Sequence, residues 1–331
     1  MKTLFAIVFG LAVAAQAAAG PRHLKIATIA PSGSIYHRVL QEMGEACRRA
    51  SGPGARAVVY ADGLQGTETD TVRRMRVGQI DAAMLSVVGL IEIDPATAAL
   101  QYMPMMFRSW AELEYARETL RPDFEAKFAA KGFVVLAWGE IGWVEFFMRE
   151  DIATPEEFKR KPIFSWSEDV KQAGVMKARG FNPVPLPLAD VLPAIQTGML
   201  DVVPVSPMWA LVGQYDRSLR YMLRIRWVPV IGATVMRRQT FEALTPAARE
   251  ALLETAEQAA QTLRAHRDTQ DESSIRALQA RGMQVREMTP ELERVWQAEA
   301  EGAWPLIRGN MVPADTFDKV VAALAEYRSR Q

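Results

Sequence analysis

The sequence predicts an α/β protein built as two lobes with one long helix shared between them. Three observations carry that expectation. Short apolar runs alternate with amphipathic stretches over the first two thirds of the chain, the pattern of interleaved strands and helices with mainly parallel sheets. The chain has 331 residues, more than a single hydrophobic core ordinarily serves. Finally, nothing between Thr245 and Gly282 interrupts a helix.

Each element has a local reason. Leu24–Ile29 is a strand-like run broken at Pro31-Ser32-Gly33-Ser34, and Ser34 can cap a helix from Ile35 to about Ala50. Gly52-Pro53-Gly54 ends that helix, and Ala55–Tyr60 is the next strand. A Gly-rich loop over 62–66 leads to a helix from about Glu68 to Val77, closed by Gly78, and then to a strand over Ala82–Leu85. Helical stretches over Trp110–Leu120 and Asp123–Lys131 precede an apolar strand, Phe133–Trp138, of the kind covered on both faces. Trp143–Arg149 is extended, and Phe146 and Phe147 must then point to opposite faces.

The alternation resumes as strand Ile163–Ser165, helix Asp169–Arg179, strand Val184–Leu186, helix Ala189–Thr197 and strand Val202–Val205. Trp227–Met236 is a strand that returns to the first lobe. Thr245 and Pro246 form an N-cap and first-turn pair, giving a helix over 246–281 of ~54 Å at the usual rise. Two ordinary helices meeting near Asp268–Asp271 are the alternative. Thr289-Pro290 and Asp315 start two further helices. The first lobe is expected to begin in 20–142, the second in 143–228, with the elements of 229–331 shared by both.

Residues 1–19 combine Lys2, an apolar run from Leu4 to Ala15 and small residues at Ala17 and Ala19, which describes a secretory signal peptide cleaved near Ala19. An uncleaved anchor or a buried helix is the alternative, but the run falls short of the ~20 residues that a span needs. Lys plus Arg and Asp plus Glu each number 39, so no net field would recruit nucleic acid or an anionic membrane. Cys47, the sole cysteine, lies at helical spacing with Val39, Leu40 and Met43 and is expected to be a small buried apolar residue. His23, His37 and His266 are not at metal-ligand or triad spacing, and there is no GxSxG, GxGxxG or P-loop, so an enzyme is not expected.

The tract TPEEFKRKPIFSW followed by GFNPVPLPLADVLPAIQTGMLD resembles the signature stretch of solute-binding proteins of tripartite ATP-independent periplasmic (TRAP) transporters. Further resemblances lie, in order, at Leu24–Ala27 with Ala30-Pro31, at Tyr60–Gly66, at Val77–Ala83, at Pro104–Phe107 and at Ala194–Asp201. The resemblance implies the two-lobed periplasmic-binding-protein fold with a ligand cleft between the lobes. It also implies capture of a small molecule in the periplasm, delivery to permease subunits, no cofactor and no catalysis. A sensor or adaptor that kept the fold is a further possibility.

The resemblance also indicates candidate ligand-binding positions. Ser34 lies at the first ligand loop, and Thr67 and Ser86 fall where sialic-acid-type members place acids. Phe164 stands where the family places its carboxylate-binding arginine, Val144 near a second arginine, and Val205 where asparagine is common. Trp143, Phe164, Trp166 and Trp209, with Met208, are expected to line the cleft, whereas Trp138 is expected in the core. A carboxylate buried without its cationic partner loses ~3–5 kcal/mol. Unless Arg149 or Arg179 reaches in, the expected ligand is therefore neutral and hydrophobic or aromatic. The rival is a quaternary ammonium held by aromatic rings with Glu140 or Glu145.

Overall fold

The computed structural model describes residues 23–331. The expected signal peptide lies outside the described residues, and among them no helix is long and apolar enough to cross a membrane. Eleven strands form two sheets. The first contains β1 (His23–Thr28), β2 (Arg56–Tyr60), β3 (Ala82–Ser86), β4 (Phe133–Trp143) and the late strand β10 (Pro229–Arg237), in the order β2-β1-β3-β10-β4. The second contains β5 (Glu145–Met148), β6 (Pro162–Trp166), β7 (Asn182–Leu186), β8 (Val202–Val205), β9 (Tyr221–Arg224) and β11 (Gln284–Glu287), ordered β11-β9-β5-β8-β6-β7.

The sheets are more mixed than the alternation alone suggests. β10 runs antiparallel to β3 and β4, and β5 runs antiparallel to β8 and β9. Both exceptions have one cause, because these are the strands that carry the chain into the second lobe and back. Their direction is set by the crossover rather than by a local helix connection. The two crossovers also pair with each other. The Val144 N–H donates to the Val228 carbonyl at 2.8 Å, and the Trp227 N–H donates to the Val144 carbonyl at 2.9 Å.

Apolar layers cover both faces of each sheet. Phe147 and Phe164 belong to one layer of the second lobe, Phe146 and Ile163 to the other, as a two-residue side-chain period requires. Cys47 is buried in a first-lobe layer, where burial pushes its thiol pKa up.

Helix boundaries follow the caps. The Ser34 hydroxyl accepts from the His37 N–H at the start of Ile35–Ser51, and Thr67 with Asp70 forms a reciprocal capping box on Glu68–Arg76. The two helices expected over 110–131 are one, Trp110–Ala130. Pro122 sits inside it on the exposed side, where water can reach the carbonyl one turn back that loses its donor.

Pro246–Ala280 is continuous over 35 residues, capped by the Thr245 hydroxyl on the Ala248 N–H. Its Leu252, Ala256 and Leu263 pack into a first-lobe layer, and its Ile275 and Leu278 pack into a second-lobe layer. A second helix, Pro290–Ile307, also ties the lobes together. Its Trp296 indole N–H donates to the Ala153 carbonyl at 2.7 Å, and its Trp304 indole N–H donates to the Pro104 carbonyl at 3.0 Å.

Continuity of the long helix has a direct test at Thr269, which is exposed about two thirds of the way along it, within the stretch 268–271. Thr269→Pro should lower the unfolding free energy by ~3 kcal/mol in urea denaturation, because it removes a ladder bond and clashes with the preceding turn. A loss of only a few tenths of a kcal/mol would mean that the helix breaks there.

Candidate functional site

The carboxyl ends of the parallel strands converge on one cleft of about 1050 Å³. Open α/β sheets bind ligands at such ends because the loops there present polar groups without interrupting the ladder. The first lobe contributes the segment after β1 from Thr28 to Ser34, the turn around Gly66 and Thr67, and Ser86 at the end of β3. The second contributes Trp166 at the end of β6, Pro187 after β7 and the segment from Pro204 to Trp209 at the end of β8. Leu263, His266 and Gln270 of the long helix form part of the wall.

Eight of the ten residues singled out from the sequence line this cleft: Ser34, Thr67, Ser86, Val144, Trp166, Val205, Met208 and Trp209. Phe164 and Trp143 are not among its lining. Phe164 is 3% exposed and packs with Phe147, Val191 and Ile195, its ring 5.3 Å from that of Trp166. It therefore supports the ring that faces the cleft instead of facing it. Trp143 is 4% exposed and stacks on Trp110 at 4.7 Å. Trp138, expected only in the core, does both jobs, packing on Phe124 and Phe128 while lining the cleft.

Several polar groups that look available are already engaged. The Thr67 hydroxyl donates to Asp70 and accepts from its N–H, at 3.0 and 3.1 Å. The Ser86 hydroxyl donates to Glu68 at 2.5 Å and accepts from the Val88 N–H at 3.2 Å. Glu68, which sequence reasoning passed over, is a buried carboxylate in the wall. It also accepts from the Ser86 and Gly89 N–H groups, at 2.7 and 3.0 Å, and so joins two edges of the first lobe. Burial raises its pKa, against the pull of those donors. Gly66 has a positive φ of 88°, and a Cβ there would meet an Asp70 carboxylate oxygen at 2.9 Å, so this turn needs glycine.

The charge balance is the main feature of the cleft. Among the described residues Arg38 is the one Lys or Arg of its lining; it is exposed and donates to the Gly33 carbonyl at 2.6 Å. Asp62, Glu68, Glu140 and Glu168 stand against it. Glu140 is 1% exposed and bonds Arg117 and Arg267. Neither arginine held open from the sequence enters the cleft. Arg149 bonds Asp201 at 3.2 Å and the Ile195 carbonyl, and Arg179 bonds Glu299 at 2.8 Å. Among the described residues no group of three or more His, Cys, Asp and Glu side chains could hold a metal ion.

Glu145, proposed as a cage residue, is absent from the lining and sits instead at the crossover. Its carboxyl accepts from the Arg226 N–H at 2.8 Å, and Asp271 of the long helix accepts from the Trp143 N–H at 3.0 Å. Gly142 permits that approach, since a Cβ there would meet Asp271 Oδ1 at 2.5 Å. Burial, with the Asp271 charge adding, pushes Glu145 up to about 8, and burial pushes Asp271 up to about 6.

Two predictions follow from these positions. Both hinge carboxyls hold protons in the folded chain at pH values where the unfolded chain has lost them. Their contribution to stability is complete below the unfolded carboxyl pKa of ~4 and falls as pH rises toward about 8. Urea denaturation between pH ~5 and ~8 should show that decline, and Glu145→Gln should flatten it; an unaltered slope would contradict the assignment. Phe164→Arg should destabilise the fold by ~3–5 kcal/mol, because it places an uncompensated guanidinium in a packed layer. A cost below ~1 kcal/mol, the range of an exposed site, would place that side chain in the open cleft.

Comparison with known proteins agrees with this architecture. A family model described as bacterial extracellular solute-binding protein, family 7 (DctP), matches residues 26–308. The chain is 26% identical over 208 residues to the 2,3-diketo-L-gulonate-binding periplasmic protein YiaO of Escherichia coli K12, spanning 61% of each chain. It resembles a TRAP periplasmic solute-binding protein from Xanthobacter autotrophicus Py2 with bound β-D-galacturonate, with a TM-score of 0.80 and 19% identity over 91% of this chain and 99% of that one. It also resembles DctP7, a Bordetella pertussis extracytoplasmic solute receptor binding pyroglutamic acid, with a TM-score of 0.81 and 16% identity over 92% of this chain and 99% of that one. At these identities the structural likeness speaks for the fold. With the family model spanning most of its length, the chain belongs to family 7 of the bacterial extracellular solute-binding proteins, the DctP family.

Proposed function

We propose that this solute-binding protein captures a neutral, apolar or aromatic small molecule in the periplasm and delivers it to the membrane subunits of a TRAP-type permease. The observation that carries the ligand class is the charge balance of the cleft. Arg38 is the one Lys or Arg among the described lining residues, Glu140 is already paired with Arg117 and Arg267, and Arg149 and Arg179 are engaged elsewhere. A carboxylate guest there would lose ~3–5 kcal/mol for want of a partner, a factor of hundreds to thousands in affinity. Trp166, Trp209, Met208, Val144 and Val205 supply apolar surface instead, at ~25 cal/mol per Å² withdrawn from water.

The relatives' names mention 2,3-diketo-L-gulonate, galacturonate and pyroglutamic acid, so this reading sets the chain apart from them in ligand while keeping the family role. Export through the segment 1–19 and the absence of catalysis belong to the same reading. A quaternary ammonium guest is the second reading, favoured by Glu168 beside the half-buried Trp166. A sensor with the same cleft would differ in its partner; permease genes beside this one favour transport.

Native mass spectrometry of freshly purified protein, followed by extraction and identification of the bound molecule, tests the ligand class. The expected guest carries no carboxylate and no phosphate. Recovery of a sugar acid or other small carboxylate at stoichiometric occupancy would overturn the proposal.

A further inference from the structure

The hydrogen-bonding capacity of the cleft wall is one-sided. The carboxylates that could accept from a guest are mostly occupied: Asp62 by the Ser32 N–H and hydroxyl, Glu68 by Ser86 and Gly89, and Glu140 by Arg117 and Arg267. Donor hydrogens are left over. An indole N–H can only donate, and among the described residues those of Trp166 and Trp209, whose rings line the cleft, have no partner. The Trp138 ring lines the cleft too, but its indole nitrogen has no accessible surface and is out of a guest's reach. Gln101 lines the same wall, and its side-chain carbonyl accepts from the Ile231 N–H at 3.0 Å, which leaves its NH₂ group to donate. The hydroxyl oxygens of Thr28 and Ser34 accept from the Ala30 and His37 N–H groups, at 3.1 and 3.2 Å, which leaves each hydroxyl proton to be given away.

Neutral donors, carboxylates engaged except for the exposed Glu168, and a single exposed guanidinium, Arg38, together select for a particular chemistry. We infer that the guest is an uncharged apolar molecule bearing at least one acceptor oxygen, of the carbonyl, ester or ether class, which takes neutral N–H and O–H donors of the cleft. A pure hydrocarbon would leave those donors unmatched. A quaternary ammonium has no acceptor to offer them, and a carboxylate would meet them with only the exposed Arg38 as counter-charge while facing the acidic side chains. The inference rests on the neutral-ligand reading proposed above and deepens it.

Four probes of nearly the same shape separate the possibilities in calorimetric titrations of the mature chain: acetophenone, α-methylstyrene, benzoate and trimethylphenylammonium. The inference expects acetophenone to bind about tenfold more tightly than α-methylstyrene, which keeps the skeleton but replaces C=O with C=CH₂. Trp166→Phe and Trp209→Phe keep an aromatic ring and remove one N–H each. At least one should reduce that preference about threefold or more while leaving α-methylstyrene affinity within about twofold. Both residues are half-buried, so each variant keeps the test open if the other fails to fold. Equal affinity for ketone and hydrocarbon in the parent, an unaltered preference in both variants, or no binding by any probe overturns the acceptor inference. The first two outcomes leave the neutral-ligand reading standing. Tightest binding by benzoate, or by the ammonium probe, overturns the neutral-ligand reading itself.

Discussion

A buried anion needs a cation, and apart from the exposed Arg38 the guanidiniums of these elements are committed to carboxylates. Arg117 and Arg267 hold Glu140, Arg149 holds Asp201, and Arg179 is tied to Glu299 with Lys159 beside it. Each pair is a structural fastening within or between elements. Withdrawing an arginine to meet a ligand would strand a carboxylate in a poorly hydrated place, and that penalty keeps the pairs intact. The character of the cleft therefore depends as much on where its neighbouring guanidiniums are anchored as on the residues that face the guest.

The architecture follows from a second constraint, that the lobes share elements. The chain passes into the second lobe at Val144 and back at Trp227 and Val228, and those crossovers are hydrogen-bonded to each other. The long helix and Pro290–Ile307 then place side chains in layers of both lobes. Hinge motion must accommodate all four connections. The buried carboxyls Glu145 and Asp271 lie where the crossover meets the long helix, so the protonation of that junction is coupled to its stability.

Much of this was legible in the residues. Alternating apolar runs located most strands of the parallel core, and Thr245-Pro246 with Gly282 bracketed the long helix, because caps and breakers act locally. Asp81 and Asp201 each follow a helix-ending glycine, and their carboxylates act over longer range, on the Lys25 N–H and on Arg149. What escaped was non-local. β9 and β11 are short edge elements whose pairing depends on distant partners, and Pro122 gave a stop signal that the exposed helix face tolerates. In the site, strand period put Phe164 and Trp166 on one face, but not which of them reaches the end of the strand. Glu68 drew no attention and Trp138 was assigned to the core alone, because a lone acid on a helix and a tryptophan in an apolar strand have commonplace roles.

The central claim is that, among the described residues, the cleft holds no buried cation for an acidic guest, Arg38 being exposed. Isothermal titration of the mature protein with D-galacturonate at neutral pH tests it most directly. The account predicts no saturable heat at sub-millimolar concentrations; stoichiometric binding with a micromolar dissociation constant would contradict it.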